Sequence, residues 1–282
     1  STFPKEEVEK ERGVIVEEIN MYEDLPQRRV HEYYDELLYG DQPAGWSIAG
    51  SKEVVKAMTS EKIRAYRKKH YVANATTVVV AGKVEQGEVV SLVKKMFADV
   101  PTSKKHSKKK VVEKQLKPAL RVVRKEIEQS HVVIGVRTFK VGDKRGTALG
   151  LLNTVLGEGM SARLFQRLRE DLGMAYYVRS GVDEYTDHGS LKVSAGVDTK
   201  RVPEAIEAIL GEFRKLRDVL VTEEELKKAK EFSIGNMYLS LETSDSLAGY
   251  YGIQEVLRRK QESPQELEKK IRAVTVKDIQ KI

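Results

Sequence analysis

This chain of 282 residues has no cysteine. Disulfides, thiolate metal sites and a cysteine nucleophile are therefore excluded, while the redox compartment stays undecided. No run of eighteen apolar residues exists, so no transmembrane helix is expected, and no signal-peptide pattern stands at the start. Histidine is scarce: His31, His70, His106, His131 and His188. None has another histidine three or four residues away, so no metal site of ordinary histidine spacing is present. Gly-x-Ser-x-Gly, a Walker loop and Ser-x-x-Lys in a credible context are missing too. Gly157-x-Gly159 has neither a third glycine nor a preceding strand.

What is present is a soluble-protein composition, 40% apolar and 33% charged, long enough for two ordinary domains or one large one. The net charge of +7 is unevenly spread. Much of the excess lies in Lys104-Lys-His-Ser-Lys-Lys-Lys110, with Lys114 and Lys117 after it, whereas residues 1–26 hold eight acids against three bases. No interleaved aromatics, recognition helix or zinc finger accompanies the basic block. It reads as a solvated linker, with His106 in it. A nucleic-acid binder working through residues 104–117 is the rival reading, and the expectation here is no nucleic acid.

Helices are expected over 4–24, 27–39, 52–58, 61–70 and 86–98, with Ser51 and Thr59 or Ser60 as caps. The β-branched run at 76–82 reads as a buried strand. After the linker, the texture changes to strands at 120–127 and 130–139. A small apolar helix follows at 146–156, then a helix at 162–171 that Ser161 could cap. Strands at 175–182 and 190–197 come next, joined by a turn in which His188 is expected to be solvated. The remainder is helical, over 203–219, 223–241, 246–258 and 265–273, with Thr222 and Glu225 forming a capping box. His70 ends a basic helix and suits its C-terminal dipole. His131 begins a strand and could face core or cleft. Paired strands beside grouped helices favour α+β over a doubly wound sheet. The first half has a single confident strand, so that domain looks incomplete.

Two stretches invite chemistry. In Glu11-Arg-Gly-Val-Ile-Val-Glu17-Glu18-Ile-Asn, helical spacing places Val8, Ile15, Ile19 and Tyr22 on one face and projects Glu11 and Glu18 from that same face. Carboxylates on a buried face are costly unless a cation, a metal or several donors hold them. In the second stretch, residues 157–178, a glycine-rich loop feeds a basic helix that ends at Gly173 and turns into a strand. Arg169 in its last turn and Tyr176 at the strand start can point into one cleft. The ordinary reading stands beside that one: an arginine complementing a helix C-terminus, and a tyrosine half-buried in a sheet.

Taken together, Glu11-Arg-x-x-Val-x-x-Glu18, the acidic turn Glu23-Asp-Leu-Pro and Met160-Ser-Ala-Arg-Leu-Phe-x-x-Leu-Arg169…Leu172-Gly-x-Ala-Tyr176 resemble the insulinase/pitrilysin family of zinc metallopeptidases, which includes mitochondrial processing peptidase. Tyr71 and residues 74–82 are similar to the close of a family domain. The resemblance implies that Glu18 is a zinc-ligating carboxylate and Glu11 an acid that orients ligands from behind. It implies that Arg169 and Tyr176 reach across from the other domain to hold the substrate carbonyl as an oxyanion forms, with a zinc-activated water as nucleophile. The family's His-x-x-Glu-His motif, which supplies the other two ligands and the general base, occurs nowhere in this chain.

The resemblance therefore implies an internal plus C-terminal fragment of a zinc metalloendopeptidase with two related α+β domains, each an antiparallel-rich sheet packed with helices, that close like a clamshell. Residues 1–100 would be the second part of the zinc-side domain, 101–117 a basic linker and 118–282 the substrate-binding domain. The expected cofactor is one Zn2+ per active site of the full-length protein, absent from this fragment, which alone is expected to be inactive. The expected partner is an unfolded or extended peptide adding to a sheet edge, with a homo- or heterodimer compatible and a soluble compartment such as the cytoplasm. A non-catalytic homologue that only binds peptide or a partner subunit is the alternative.

Overall fold

The structure, a computed structural model, describes residues 2–104 and 107–282, so the expectation for His106 lies outside the described residues. The chain divides into two compact units, Ser1–Val122 and Val123–Ile282.

In the first unit, α1 (Lys5–Glu23) buries Val8 and Ile19. Its Arg12 donates from Nη1 to the carbonyls of Lys56 (2.9 Å) and Met58 (3.3 Å), satisfying the open end of α3 (Lys52–Lys56). Between them, α2 (Pro26–Tyr39) starts on Pro26, whose missing N–H costs nothing at a first turn, and stops at Gly40 with φ +67°. Ser51 and Thr59 cap α3 and α4 (Ser60–His70) as the sequence implies. The guanidinium groups of Arg29 and Arg121 both lie over the Tyr33 ring, at 4.6 and 4.4 Å, and both face Glu36.

The strands expected at 76–82 and 120–127 do not form. Their backbones join no ladder, and Val78, Val79 and Val80 stay 38–50% exposed. A strand is stable only with a hydrogen-bonding neighbour and a covered face, and the first unit offers this run neither among the described residues. The helix after it, α5 (Gln86–Met96), consequently buries no residue. The chain just before the basic stretch is fixed in place. Asn74 donates from Nδ2 to the Ser103 carbonyl (2.7 Å) and accepts from its N–H (3.2 Å), and Ala73 N–H bonds the Pro101 carbonyl.

The second unit holds an antiparallel sheet of β1 (Gln129–Thr138), β2 (Ala175–Glu184) and β3 (Gly189–Asp198), in the order β1-β3-β2. Alternation sends Leu191, Val193, Ala195 and Val197 of β3 to one face. There they meet α6 (Gly146–Gly157), with Leu149, Leu151 and Leu156, and α7 (Val202–Asp218), with Ala205 and Ile209. Each valine, leucine or isoleucine among them contributes roughly 2 kcal/mol by leaving water, and the alanines contribute less. A second helical layer, α8 (Glu223–Ser240), α10 (Pro264–Ala273) and α11 (Val276–Gln280), covers α6, with α9 (Ser244–Arg258) in chain order between α8 and α10. The Thr222–Glu225 capping box forms. The fold class is therefore α+β, with the sheet confined to the second unit among the described residues.

Two local expectations in this unit are corrected. His188 is buried, not solvated: its Nδ1 lies 2.8 Å from Asp187 Oδ1 and its ring stacks on Tyr185 at 4.4 Å. The hairpin folds back on itself there, because Tyr185 N–H bonds the His188 carbonyl and Tyr185 in turn receives Val141 N–H. Ser161 caps nothing, because regular α geometry does not run through 162–171.

Candidate functional site

From α6 the chain passes through Glu158, whose carboxylate accepts from Asn153 Nδ2 (2.6 Å) and Thr154 Oγ1 (2.7 Å). It then turns on Gly159 with φ +84°. Next comes a π-helix, Phe165–Asp171, and Leu172 N–H bonds the Arg167 carbonyl five residues back. π-Helices are rare and cluster at functional sites, because the wider turn carries one residue more than an α-turn and re-aims what it carries. This one is well anchored. Leu164 and Leu168 are fully buried, Arg163 forks onto Glu225 at 2.7 and 3.0 Å, and Arg201 Nη1 donates to the Leu172 carbonyl at 2.8 Å. Gly173, at φ +57°, ends the turn.

The Arg163 fork pulls the Glu225 carboxyl down to about 2, helped by the Thr222 N–H. A carboxylate depressed in the folded state stabilises fully above its unfolded value near 4.5 and ceases to do so as pH falls through 2. Denaturant unfolding of the chain should show a loss on the order of 2 kcal/mol between about pH 6 and pH 2 from this pair, after allowance for solvent screening. Glu225→Gln should flatten that slope, and an unchanged slope would show that the pair contributes nothing.

Arg169 projects from the π-helix. Its guanidinium stands 5.4 Å from the centroid of the Phe165 ring and donates from Nη1 to the Tyr176 carbonyl at 2.9 Å. Tyr176 sits at a second irregularity. Ala175 pairs with Val197 and Tyr177 with Gly196, so Tyr176 is the unpaired residue of a β-bulge on an edge strand. Ala175 and Val178, three apart, both face the core, and the bulge lets both intervening tyrosines leave it. Tyr176 is 59% exposed, not half-buried, and Arg169 is exposed beside its backbone rather than capping its own helix. A groove of about 400 Å³ nearby, lined by Arg163, Gln166, Arg167, Asp171, Glu212, Lys215 and Val219, includes neither of them.

The first unit places Glu11 and Glu18 differently from the sequence expectation. Both are exposed on α1. The buried stripe is centred on Val8 and Ile19, and at 100° per residue Glu11 and Glu18 lie about 70–90° off that centre, towards exposed Val14 and Met21. Their spacing put them beside the apolar face rather than on it. Glu18 Oε1 accepts from Tyr22 Oη at 3.0 Å. Among the described residues no three His, Asp or Glu side chains converge as a metal site would require. One carboxylate does not make a four-coordinate zinc site, so the described residues alone do not fit the metal.

The second unit is thus a helix-covered antiparallel sheet with the phenol of Tyr176 on an edge strand and the guanidinium of Arg169 bonded to its backbone. The chain belongs to the M16 peptidase family: the family profile described as the peptidase M16 inactive domain matches residues 57–232. It is 32% identical to the uncharacterized zinc protease YmxG of Bacillus subtilis, covering 99% of this chain and 68% of that one. It is 31% identical to an uncharacterized zinc protease of Streptomyces coelicolor, covering 100% and 63%. A crystal structure of a protease from Helicobacter pylori has the same fold, with a TM-score of 0.88 at 23% identity, covering 99% of this chain and 68% of that one. The chain thus spans about two thirds of the length of these relatives. It is a peptidase-like protein whose relatives are named zinc proteases, and no helix among its described residues is long and apolar enough to cross a membrane.

Proposed function

We propose that this chain is the carbonyl-holding and peptide-holding portion of a zinc metalloendopeptidase acting on unfolded peptides. The observation that supports it most is that Arg169 and Tyr176 each occupy a one-residue irregularity, a π-turn and a β-bulge, and are joined by a 2.9 Å hydrogen bond. Regular structure would have been easier to build, and both departures set a side chain outward. A guanidinium and a phenol are suited to the negative charge that develops on a peptide carbonyl oxygen as it becomes tetrahedral. An extended peptide adding along an open sheet edge would present successive carbonyls there.

Zinc would be held mainly by residues outside this chain, with Glu18 as one ligand and Glu11 supporting it. The exposed apolar surface of the first unit, residues 78–80 and α5, is what the remaining third of the relatives' length would cover. Residues 1–122 would then complete the zinc-side domain and 123–282 would form the substrate side. The chain alone is expected to take up zinc no more tightly than a single surface carboxylate does. Calorimetric titration showing submicromolar one-to-one uptake would contradict the ligand assignment.

A second reading has an observation in its favour, because the matching family profile is described as the inactive domain. In that reading the chain binds peptide or a partner subunit without chemistry. The two separate in one experiment on a polypeptide extended to the relatives' full length: cleavage of an unfolded peptide that is lost on chelation supports the first, and binding without cleavage supports the second.

A further inference from the structure

On the sheet face turned away from the helices, His131, Gly196 and Tyr177 stand in one row across β1, β3 and β2. The Tyr177 ring lies over Gly196: a Cβ at that position would come within 2.4 and 2.8 Å of ring carbons Cε1 and Cδ1. Glycine is required there because the ring takes the place of its side chain. The ring thereby spans the central strand, and Tyr177 Oη lies 3.0 Å from His131 Nδ1, with the rings 24° from parallel. Burial lowers the pKa of His131 and raises that of Tyr177, so both groups are held neutral around pH 7. The bond is therefore an ordinary neutral one, its direction set by the imidazole tautomer.

Tyr177 is also the residue at which β2 resumes its register after the bulge. If the bulge slipped out, alternation would turn Tyr177 towards the helices and break this bond. We infer that His131 and Tyr177 form a latch across Gly196 that holds the bulge, and so orients Tyr176 and, through the Tyr176 carbonyl, Arg169. His131 and Tyr177 are thus positioning residues for the carbonyl-holding pair, an assignment that rests on the proposed role of that pair.

The latch is tested at two levels. In the chain itself, Tyr177→Phe keeps the ring and removes the hydroxyl. Amide hydrogen exchange across 174–178 should quicken about five- to tenfold, as expected for one lost hydrogen bond, while β3 is unchanged. Unaltered exchange would overturn the latch whatever the activity. In a polypeptide extended to full length, Tyr177→Phe and His131→Ala should each lower kcat about five- to tenfold with KM nearly constant, and the double variant should be no worse than the poorer single one. His131→Gln, whose amide can bond the phenol, should recover most of the loss, which a purely space-filling role would not produce. If both variants keep wild-type kcat while Arg169→Gln is inactive, the latch fails and the carbonyl-holding reading stands. If Arg169→Gln keeps full activity, that reading fails and the latch loses its purpose with it.

Discussion

Replacing Arg169 with glutamine in a polypeptide of the relatives' full length should lower kcat/KM on an unfolded peptide by about 100- to 1000-fold, the loss seen when one preorganised oxyanion donor is removed. The physical reason lies in the anchoring. The guanidinium is held by the Tyr176 carbonyl at 2.9 Å and by the ring of Phe165, which is itself packed against the core. In the proposed role it would therefore meet the developing charge without reorganising. Tyr176→Phe removes a neutral donor and should cost less, about 30- to 100-fold. In the proposed role the two residues act on one oxygen, so the double variant should fall well short of the product of the single losses. Arg169 is exposed, so the melting temperature of Arg169→Gln should stay close to wild type. A matching collapse in stability would show that the arginine is structural.

The second large effect is on stability. Gly157 closes α6 where it crosses β2, and a Cβ there would lie 2.5 Å from Ser180 Oγ and 2.6 Å from the Ser180 backbone nitrogen. Ser180 cannot retreat, because its hydroxyl is buried and donates to the Asn153 carbonyl at 3.1 Å. Gly157→Ala must push helix from strand, and overpacking of this kind costs about 2–3 kcal/mol. Denaturant unfolding of the chain should show that loss, with Gly150→Ala as the control. Gly150 sits in the same helix, where a Cβ would meet nothing within 4 Å, and alanine there should stabilise slightly through helix propensity. If both variants unfold together, the close approach of α6 to β2 does not set the packing.

Legibility followed locality. Helices with strong caps, such as the one opened by the Thr222–Glu225 box, are written in a few adjacent residues, and they stand where the sequence places them. The run at 76–82 is not decidable in that way, because strand formation depends on a partner that the described residues do not place beside it. Arg169 and Tyr176 come from a resemblance, and the geometry that distinguishes them is non-local. A π-turn is invisible to helical periodicity. The bulge left one trace, since Ala175 and Val178 are core-like residues three apart in a strand, where a period of two would place them on opposite faces. The pairing of His131 with Tyr177 needed the register of three strands, and only the choice left open for His131 between core and cleft pointed towards it. Glu11 and Glu18 show the converse error: a helical wheel ranks faces, but which arc is covered depends on what packs there.

In the proposed role, Arg169 and Tyr176 recognise the tetrahedral carbon's oxygen rather than the peptide in its ground state. The direct test measures, on a full-length polypeptide, the affinity of a phosphinic peptide, which mimics the tetrahedral geometry, and of the matching substrate-like peptide that cannot be cleaved. Arg169→Gln should weaken the phosphinic ligand by about 100-fold and the ground-state peptide by less than about threefold. Equal weakening of the two would contradict the account and leave Arg169 a peptide-binding residue.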